Sequence, residues 1–413
     1  MKKFVKGGVL ALCLLYVSAV QCGEYDFDLS EIEKKPYSVG GSFELKSNVY
    51  DYDTSSPVFG LKYDNPDTAD YLVDLRLNLS YEAGGLKYTV KSASKYFGKA
   101  DESPYTDVSL MEHYVSYSSD VSFRVDAGKK TMKWGKGYAY NPAAFLDRPK
   151  NIDSPEDALE GYTLVSGEYT LSFLGALKTL SFNPAAYYVD DNWNRELGAD
   201  DGVNFAGKLY ALLYDTDIDL MFSGGESRGD RFGADFSRNI SSNFEIHGEY
   251  AKYYDVQRLS VSGSDTVDSD NWIIGLRYLT ENEITLIAEF FHKSSGYTVD
   301  EMKEFYAAAD SDAAAFPGRL LSMPYSKNNP MRNYFYMRVS FKEPAGVLYF
   351  TPAVTLVANT DDGSFSLAPE AVYTGVTNYE FKLKAVLMNG GADSEYGEKT
   401  ADGRIEASVT YYF

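Results

Sequence analysis

Cysteine is nearly absent from this chain of 413 residues, which carries 2. Cys13 falls inside an N-terminal stretch that reads as a secretory signal: Lys2, Lys3 and Lys6, an apolar run from Val9 to Val17, then the small-residue pattern Val17-Ser18-Ala19. Residues 1–19 are the expected signal. Cleavage before Val20 leaves Cys22 alone and excludes a disulfide within the mature chain. Ala19-Val20-Gln21 before it does not match the small, branched pattern that precedes a lipid-anchored cysteine, so Cys22 reads as an ordinary thiol. Histidine is scarce as well: His113, His247 and His292 are the whole set of 3. Only His247 shares a strand face with carboxylates, Glu245 and Glu249, and no nucleophile accompanies it, so no enzyme is expected. Without a Cys-x-x-Cys-His run or clustered ligands, no metal or other cofactor is expected either.

Long hydrophobic runs are missing after the signal. No stretch approaches the roughly 18 apolar residues of a spanning helix, which excludes a helical membrane protein. Basic charge is also in short supply. Losing Lys2, Lys3 and Lys6 leaves 36 basic against 60 acidic residues, a net charge of -24 that argues against nucleic acid or an anionic membrane face as partner.

What is abundant points to sheet. The chain has 36 Tyr, 24 Phe and 34 Gly, a composition suited to strands joined by tight turns. Period-two alternation supports this: Val73, Leu75, Leu77, Leu79 and Tyr81 alternate with Asp74, Arg76, Asn78 and Ser80. The same pattern recurs at Phe335 to Phe341, at Tyr379 to Leu387 and at Ile405 to Phe413. Eighteen strand candidates follow, near 40–50, 71–81, 85–97, 108–118, 121–128, 161–173, 178–189, 203–213, 218–224, 230–238, 243–253, 271–279, 283–293, 332–342, 346–358, 364–374, 378–389 and 402–413. Pro184, Pro352 and Pro369 interrupt three of them, and alternation is poor at 108–118 and 161–189, so sixteen strands are also compatible.

Alternation alone also fits a secreted sandwich. The connections decide. Even-to-odd links are short, such as Glu82-Ala83-Gly84 and Ser119-Asp120, while odd-to-even links are mostly long: 51–70, 129–160, 190–202, 254–270, 294–331 and 390–401. Such sorting is expected of an all-β transmembrane antiparallel barrel with short periplasmic turns and long extracellular loops. Tyr81, Tyr278, Tyr379 and Tyr411 then gather at the periplasmic end as an aromatic girdle. The organisation expected is a signal at 1–19, a periplasmic N-terminal segment at 20–39 and one barrel at 40–413.

The last strand, "RIEASVTYYF", alternates and stops on Phe413, which resembles the signal by which outer-membrane barrels are recognised, with Tyr411 and Phe413 as its aromatic residues. The architecture of the mature chain resembles the Gram-negative outer-membrane porins. That resemblance implies an outer-membrane location, lipid and lipopolysaccharide as surroundings, the barrel assembly machinery as a partner, small solutes as cargo, and compatibility with a homo-trimer. Acidic loops carrying Asp190, Asp191, Glu196, Asp200 and Asp201 would suit divalent bridges to lipopolysaccharide.

With the phase fixed, the polar face reads as a lumen. Arg76, Lys87, Lys91, Lys95, Arg124, Arg338, Lys382, Lys384 and Arg404 form an expected basic arc; Asp235, Glu245, Glu249 and Glu289 form an acidic one opposite. The third odd-to-even link, 129–160, concentrates lysines and aromatics in "GKKTMKWGKGYAYNP". In porin-like barrels the third loop folds inward, so the resemblance implies a constriction lined by Lys129, Lys130, Lys133, Trp134, Lys136, Tyr138, Tyr140 and Arg148. The run also has a local similarity to the alginate-export family and related substrate-specific porins. Ser154 as cap and Pro155 at the first helical position predict a short helix through Leu159. The function implied is passive diffusion of small hydrophilic or charged solutes with weak anion preference. The alternative is a non-conducting scaffold or sheath for partners such as cytochromes.

Overall fold

A computed structural model describes residues 35–63, 66–99, 103–312, 320, 323, 325 and 329–413. The expected signal and most of the N-terminal segment lie outside the described residues. Residues Tyr37–Phe413 form one compact unit.

Eighteen strands make a single closed sheet in which each pairs antiparallel with its sequence neighbours and the first closes on the last. They are β1 (Tyr37–Tyr52), β2 (Ala69–Ala83), β3 (Leu86–Lys99), β4 (Tyr105–Ser118), β5 (Phe123–Lys130), β6 (Tyr162–Ser172), β7 (Leu177–Val189), β8 (Gly202–Leu213) and β9 (Thr216–Gly225). The second half holds β10 (Arg231–Ser241), β11 (Phe244–Leu259), β12 (Ser264–Leu279), β13 (Ile284–Lys293), β14 (Asn333–Phe341), β15 (Phe350–Asn359), β16 (Phe365–Val376), β17 (Tyr379–Asn389) and β18 (Ala401–Tyr412). Helix α1 (Pro57–Lys62) follows β1 and helix α2 (Val299–Asp312) follows β13. Among the described residues no helix is long and apolar enough to cross a membrane.

Alternation becomes two surfaces. Leu75, Leu77 and Leu79 are exposed on the outside, whereas Asp74 on the opposite phase is buried within. The short-turn rim is built from tight reversals: Gly84 and Gly85 between β2 and β3 both have positive φ, 58° and 80°, as a two-residue hairpin turn requires. Tyr81, Tyr278, Tyr379 and Tyr411 sit near this rim on the outer phase.

The seam between β1 and β18 is closely packed at one small residue. Gly41 and Phe413 exchange backbone hydrogen bonds at 3.0 and 3.1 Å. A β-carbon at Gly41 would collide with the Arg76 carbonyl oxygen and the Phe413 ring. Gly41→Ala is therefore expected to cost roughly 1–3 kcal/mol of overpacking at the seam. The compact heat-modifiable band on gel electrophoresis should melt at lower temperature; an unchanged melting point would refute this account of closure.

Irregular alternation has a local cause in each case. At β4 the register slips between Lys91↔Glu112 and Ser92↔Leu110, so Met111 is a bulge that reverses the phase. The prolines sit where ladders skip or stop. The β6–β7 ladder passes over Pro184, the β16–β17 ladder passes over Pro369, and the β14–β15 ladder ends at Ala353 beside Pro352. All eighteen strands are retained, and sixteen is excluded.

Three links differ from expectation. The link 254–270 is mostly strand, because β11 and β12 pair out to Leu259↔Ser264 and turn at Ser260 to Gly263. The link 294–331 contains α2, whose start is a capping box: Thr298 N–H and Oγ1 donate to Glu301 at 2.8 and 3.0 Å, and Glu301 N–H donates back to Thr298 Oγ1 at 3.3 Å. Met302, Phe305, Tyr306 and Ala309 on one face of α2 join Leu61, Tyr334, Tyr336 and Tyr396 in a buried cluster at the long-loop rim. The helix expected from Ser154 is absent: residues 152–157 are turns, with Asp157 N–H reaching Ser154 O at 3.1 Å, since so short a segment does not repay helix nucleation.

Candidate pore constriction

The third odd-to-even link, 131–161, starts where β5 ends and enters the barrel. Buried carboxylates hold it through its own backbone. Glu249 on β11 accepts from the amides of Lys136, Gly137 and Ala143 at 2.5, 2.6 and 3.0 Å. Glu289 on β13 accepts from Tyr138, Ala139 and Tyr140, the latter two at 2.8 and 3.3 Å, and is steadied by His247 Nε2 at 2.9 Å. A third carboxylate lies within the loop. Asp147 accepts from Met132, Lys133 and Trp134 at 2.9, 2.8 and 2.7 Å. Its burial pushes the carboxyl pKa up, and the three amides offset that only in part.

Close approach needs small residues. Gly135 has φ 85°, and a β-carbon there would come within 2.8 Å of Glu249 Oε1, so the glycines of "WGKG" let the loop meet the wall. At its far end the loop reaches the other side. Asp153 accepts from Arg404 on β18 at 3.1 Å, and its carbonyl accepts from Lys384 on β17. The loop is thus a strap across the lumen, tied to β11 and β13 at one side and to β17 and β18 at the other.

The expected constriction residues separate into groups. Trp134 is buried with Phe145, Tyr162 and Leu164, and Tyr140 stacks on Phe291 at 4.4 Å, so these rings fasten the strap to the wall. Tyr138 is half-buried, 5.9 Å from Tyr336. Lys129 lies on the outer phase of β5 with Phe123, Val125 and Ala127 and pairs with Glu160, away from the lumen. Lys130 pairs with Asp126. Arg148 pairs with Glu196 at 2.9 Å and lies over Tyr162 at 4.9 Å. Lys136 pairs with buried Asp219 at 3.0 Å; burial pushes its pKa down, but Asp219 and Asp235 outweigh burial and raise it. Lys133 is exposed, in the left-handed region at φ 56°, and has no ion-pair partner among the described residues.

The thirteen charges expected to line the lumen all fall on the inner phase of the register. Five of the basic residues are neutralised where they stand, Arg404 by Asp153 and four others by carboxylates of the wall. Arg76 pairs with Asp74 at 2.9 Å, Lys91 with Glu112 at 2.5 Å, Arg124 with Glu168 at 2.5 Å and Arg338 with Glu370 at 2.8 Å. Lys87 faces Glu82 in the register, while Lys95 and Lys382 have no ion pair among the described residues. On the acidic side Glu249 and Glu289 are strap anchors, Glu245 accepts from Ser237 at 2.9 Å, and Asp235 faces Asp219. The two arcs therefore interlock with opposite charges and amides instead of standing as free fields.

Two cavities flank the strap. One of about 940 Å³ opens toward the long-loop rim, and its lining includes Arg228, Arg231, Tyr253 and Lys293. Another of about 450 Å³ touches Arg76, Lys91, Lys133 and Glu156. Both touch Lys150, which lay outside the residues singled out in the sequence; like Asp147, it carries no local pattern that marks it.

No protein-family model matches this chain, and no curated protein does. Solved structures do match. OccAB1 of Acinetobacter baumannii has a TM-score of 0.55 at 8% identity, over 92% of this chain and 98% of that one. OccK11 (OpdR) of Pseudomonas aeruginosa has a TM-score of 0.52 at 8% identity, covering 91% and 96%, and OccK5 (OpdH) of the same organism 0.51 at 11%, covering 91% and 98%. These neighbours are Gram-negative outer-membrane porins. The fold is that of an outer-membrane porin barrel. Identity this low carries the fold and leaves the solute open. In the porin barrel the long-loop rim is extracellular and the short-turn rim periplasmic. The strap crosses the lumen at the level of Glu249 and Glu289, while α2 and the larger cavity lie toward the long-loop rim.

Proposed function

We propose that this chain is a passive outer-membrane channel for small hydrophilic solutes, narrowed by the strap of residues 131–161. The observation that carries this reading is the strap's double tether, amides to Glu249 and Glu289 on one side and Asp153 to Arg404 on the other, with a cavity on either face. A sheath for an inserted protein needs a clear bore. Here the chain's own loop crosses that space. Purified protein in planar lipid bilayers should give discrete conductance steps. A barrel that inserts and stays electrically silent would refute the channel reading.

Selectivity follows from which lysines keep their charge free for solutes. Lys133→Glu is expected to shift the reversal potential in a salt gradient toward cations, because its ammonium has no ion pair among the described residues and faces the smaller cavity. Lys136→Gln is expected to move it far less and instead to lower thermal stability, since Asp219 is then left with Lys208 at 3.7 Å. Equal shifts in both variants would show that ion pairing within the lumen does not decide selectivity.

A further inference from the structure

Asn141, Asp147 and Lys150 line both the 940 Å³ and the 450 Å³ cavities, so these three side chains stand where the two cavities adjoin. We propose that Lys150 is the charge-selecting residue of the channel, its ammonium standing at the junction of the two cavities and favouring small anions over cations. The proposal rests on the channel reading above and adds the residue that decides which ions pass.

Of the three side chains, only Lys150 carries positive charge. Asn141 is neutral, and both Asp147 oxygens are occupied by backbone amides. Lys150 Nζ donates to the carbonyl oxygens of Gly137 and Tyr138 at 2.5 and 3.0 Å. Those two bonds aim the ammonium without neutralising it, and an ammonium has a third proton to donate. No carboxylate forms an ion pair with it among the described residues. The acidic groups that act on it, Glu289, Glu249 and Asp147, bind the strap's amides and act on Lys150 through space without forming an ion pair. Other charges in the cavity walls include Arg228 and Arg231 with Glu226 above, and Lys133 with Glu156 and Asp157 below. In a partly desolvated throat, the charge nearest a passing ion weighs more than the many exposed carboxylates that give the chain its negative sum.

The same geometry sets a pH dependence. Burial lowers the Lys150 pKa, and the charges of Glu289, Glu249 and Asp147 offset that only in part. A base with a lowered pKa is charged below that value and neutral above it. Anion preference should accordingly hold at neutral pH and fade on alkalinisation before an ordinary lysine would lose its proton.

The test is the reversal potential of the full chain in planar bilayers under a potassium chloride gradient, near pH 7 and again at alkaline pH. Lys150→Gln should cut the anion-to-cation permeability ratio by roughly three- to tenfold, and Lys150→Glu should invert the preference. Lys150→Arg should keep wild-type preference at neutral pH and hold it when the wild type loses it, because a guanidinium does not titrate there. Heat-modifiable migration reports that each variant is folded. Should Lys150→Glu fail to assemble, the glutamine variant and the arginine pH profile still decide. A conducting wild type whose reversal potential is indifferent to all three substitutions overturns this inference alone. A wild type without conductance steps overturns the channel reading and this inference with it.

Discussion

Replacing Glu249 and Glu289 together by alanine is expected to raise single-channel conductance several-fold and to make the open current noisy. Six strap amides lose their acceptors in that variant, those of Lys136, Gly137, Ala143, Tyr138, Ala139 and Tyr140. Each buried amide left without a partner costs about 1–3 kcal/mol, so the strap has more to gain by moving into water than by holding its place. The wall strands keep their own ladders, since both glutamates point off the sheet and β11 and β13 pair through their backbones. The barrel should therefore survive while the bore widens. Glutamine at both positions keeps one carbonyl acceptor each and should give an intermediate conductance. Wild-type conductance in the alanine variant, with compact migration on a gel, would mean that the strap is held by its buried rings alone.

Val409→Arg is the second large effect, and it acts on assembly. Val409 faces outward on β18 between Leu45 and Phe381, with Tyr411 and Phe413 beyond it at the periplasmic end. An arginine on the lipid face costs about 2–4 kcal/mol at mid-depth and less toward the girdle, where Val409 lies two residues from Tyr411, but it falls in the strand that carries the expected assembly signal. Little folded protein should reach the outer membrane. Thr410→Arg points into the lumen beside Glu44 and Glu380 and should be tolerated. The reverse order of damage would invert the lipid and lumen phases given to this strand.

The barrel was legible because its signal is repetitive. Alternation in most strands and sorted link lengths give the barrel, both rims and a choice of sixteen or eighteen strands even where single boundaries drift. Lumen-facing charges such as Arg76, Lys91 and Glu289 follow from the same period of two. What alternation cannot carry is pairing between distant segments. Nothing near Glu249 announces that its oxygens meet Lys136 and Gly137, because that contact depends on how the strap crosses the barrel. The lysine-rich run drew attention by composition, yet Lys129, Lys130 and Lys136 are tied to Glu160, Asp126 and Asp219. Lys150, isolated in sequence, stands at the junction of the cavities. Helix α2 was marked locally: Thr298 and Glu301 make a capping box, and Met302, Phe305, Tyr306 and Ala309 follow at helical spacing. A strand-by-strand reading passes over such a pattern. The expected helix at Ser154 shows the converse, a valid start signal with too little chain behind it.

Because Glu249, Glu289 and Asp147 grip peptide N–H groups and not side chains, every L-amino acid except proline offers them the same handle. Attachment and lining are thereby separate properties of one segment. Outside the close contacts at Gly135 and Gly137, side chains such as Lys133 and Tyr138 can be exchanged in shape and charge with the same backbone grip beneath them. A combinatorial library at these positions would sample many eyelets on a single hinge-free mount, which makes this strap a module for engineering what the barrel admits.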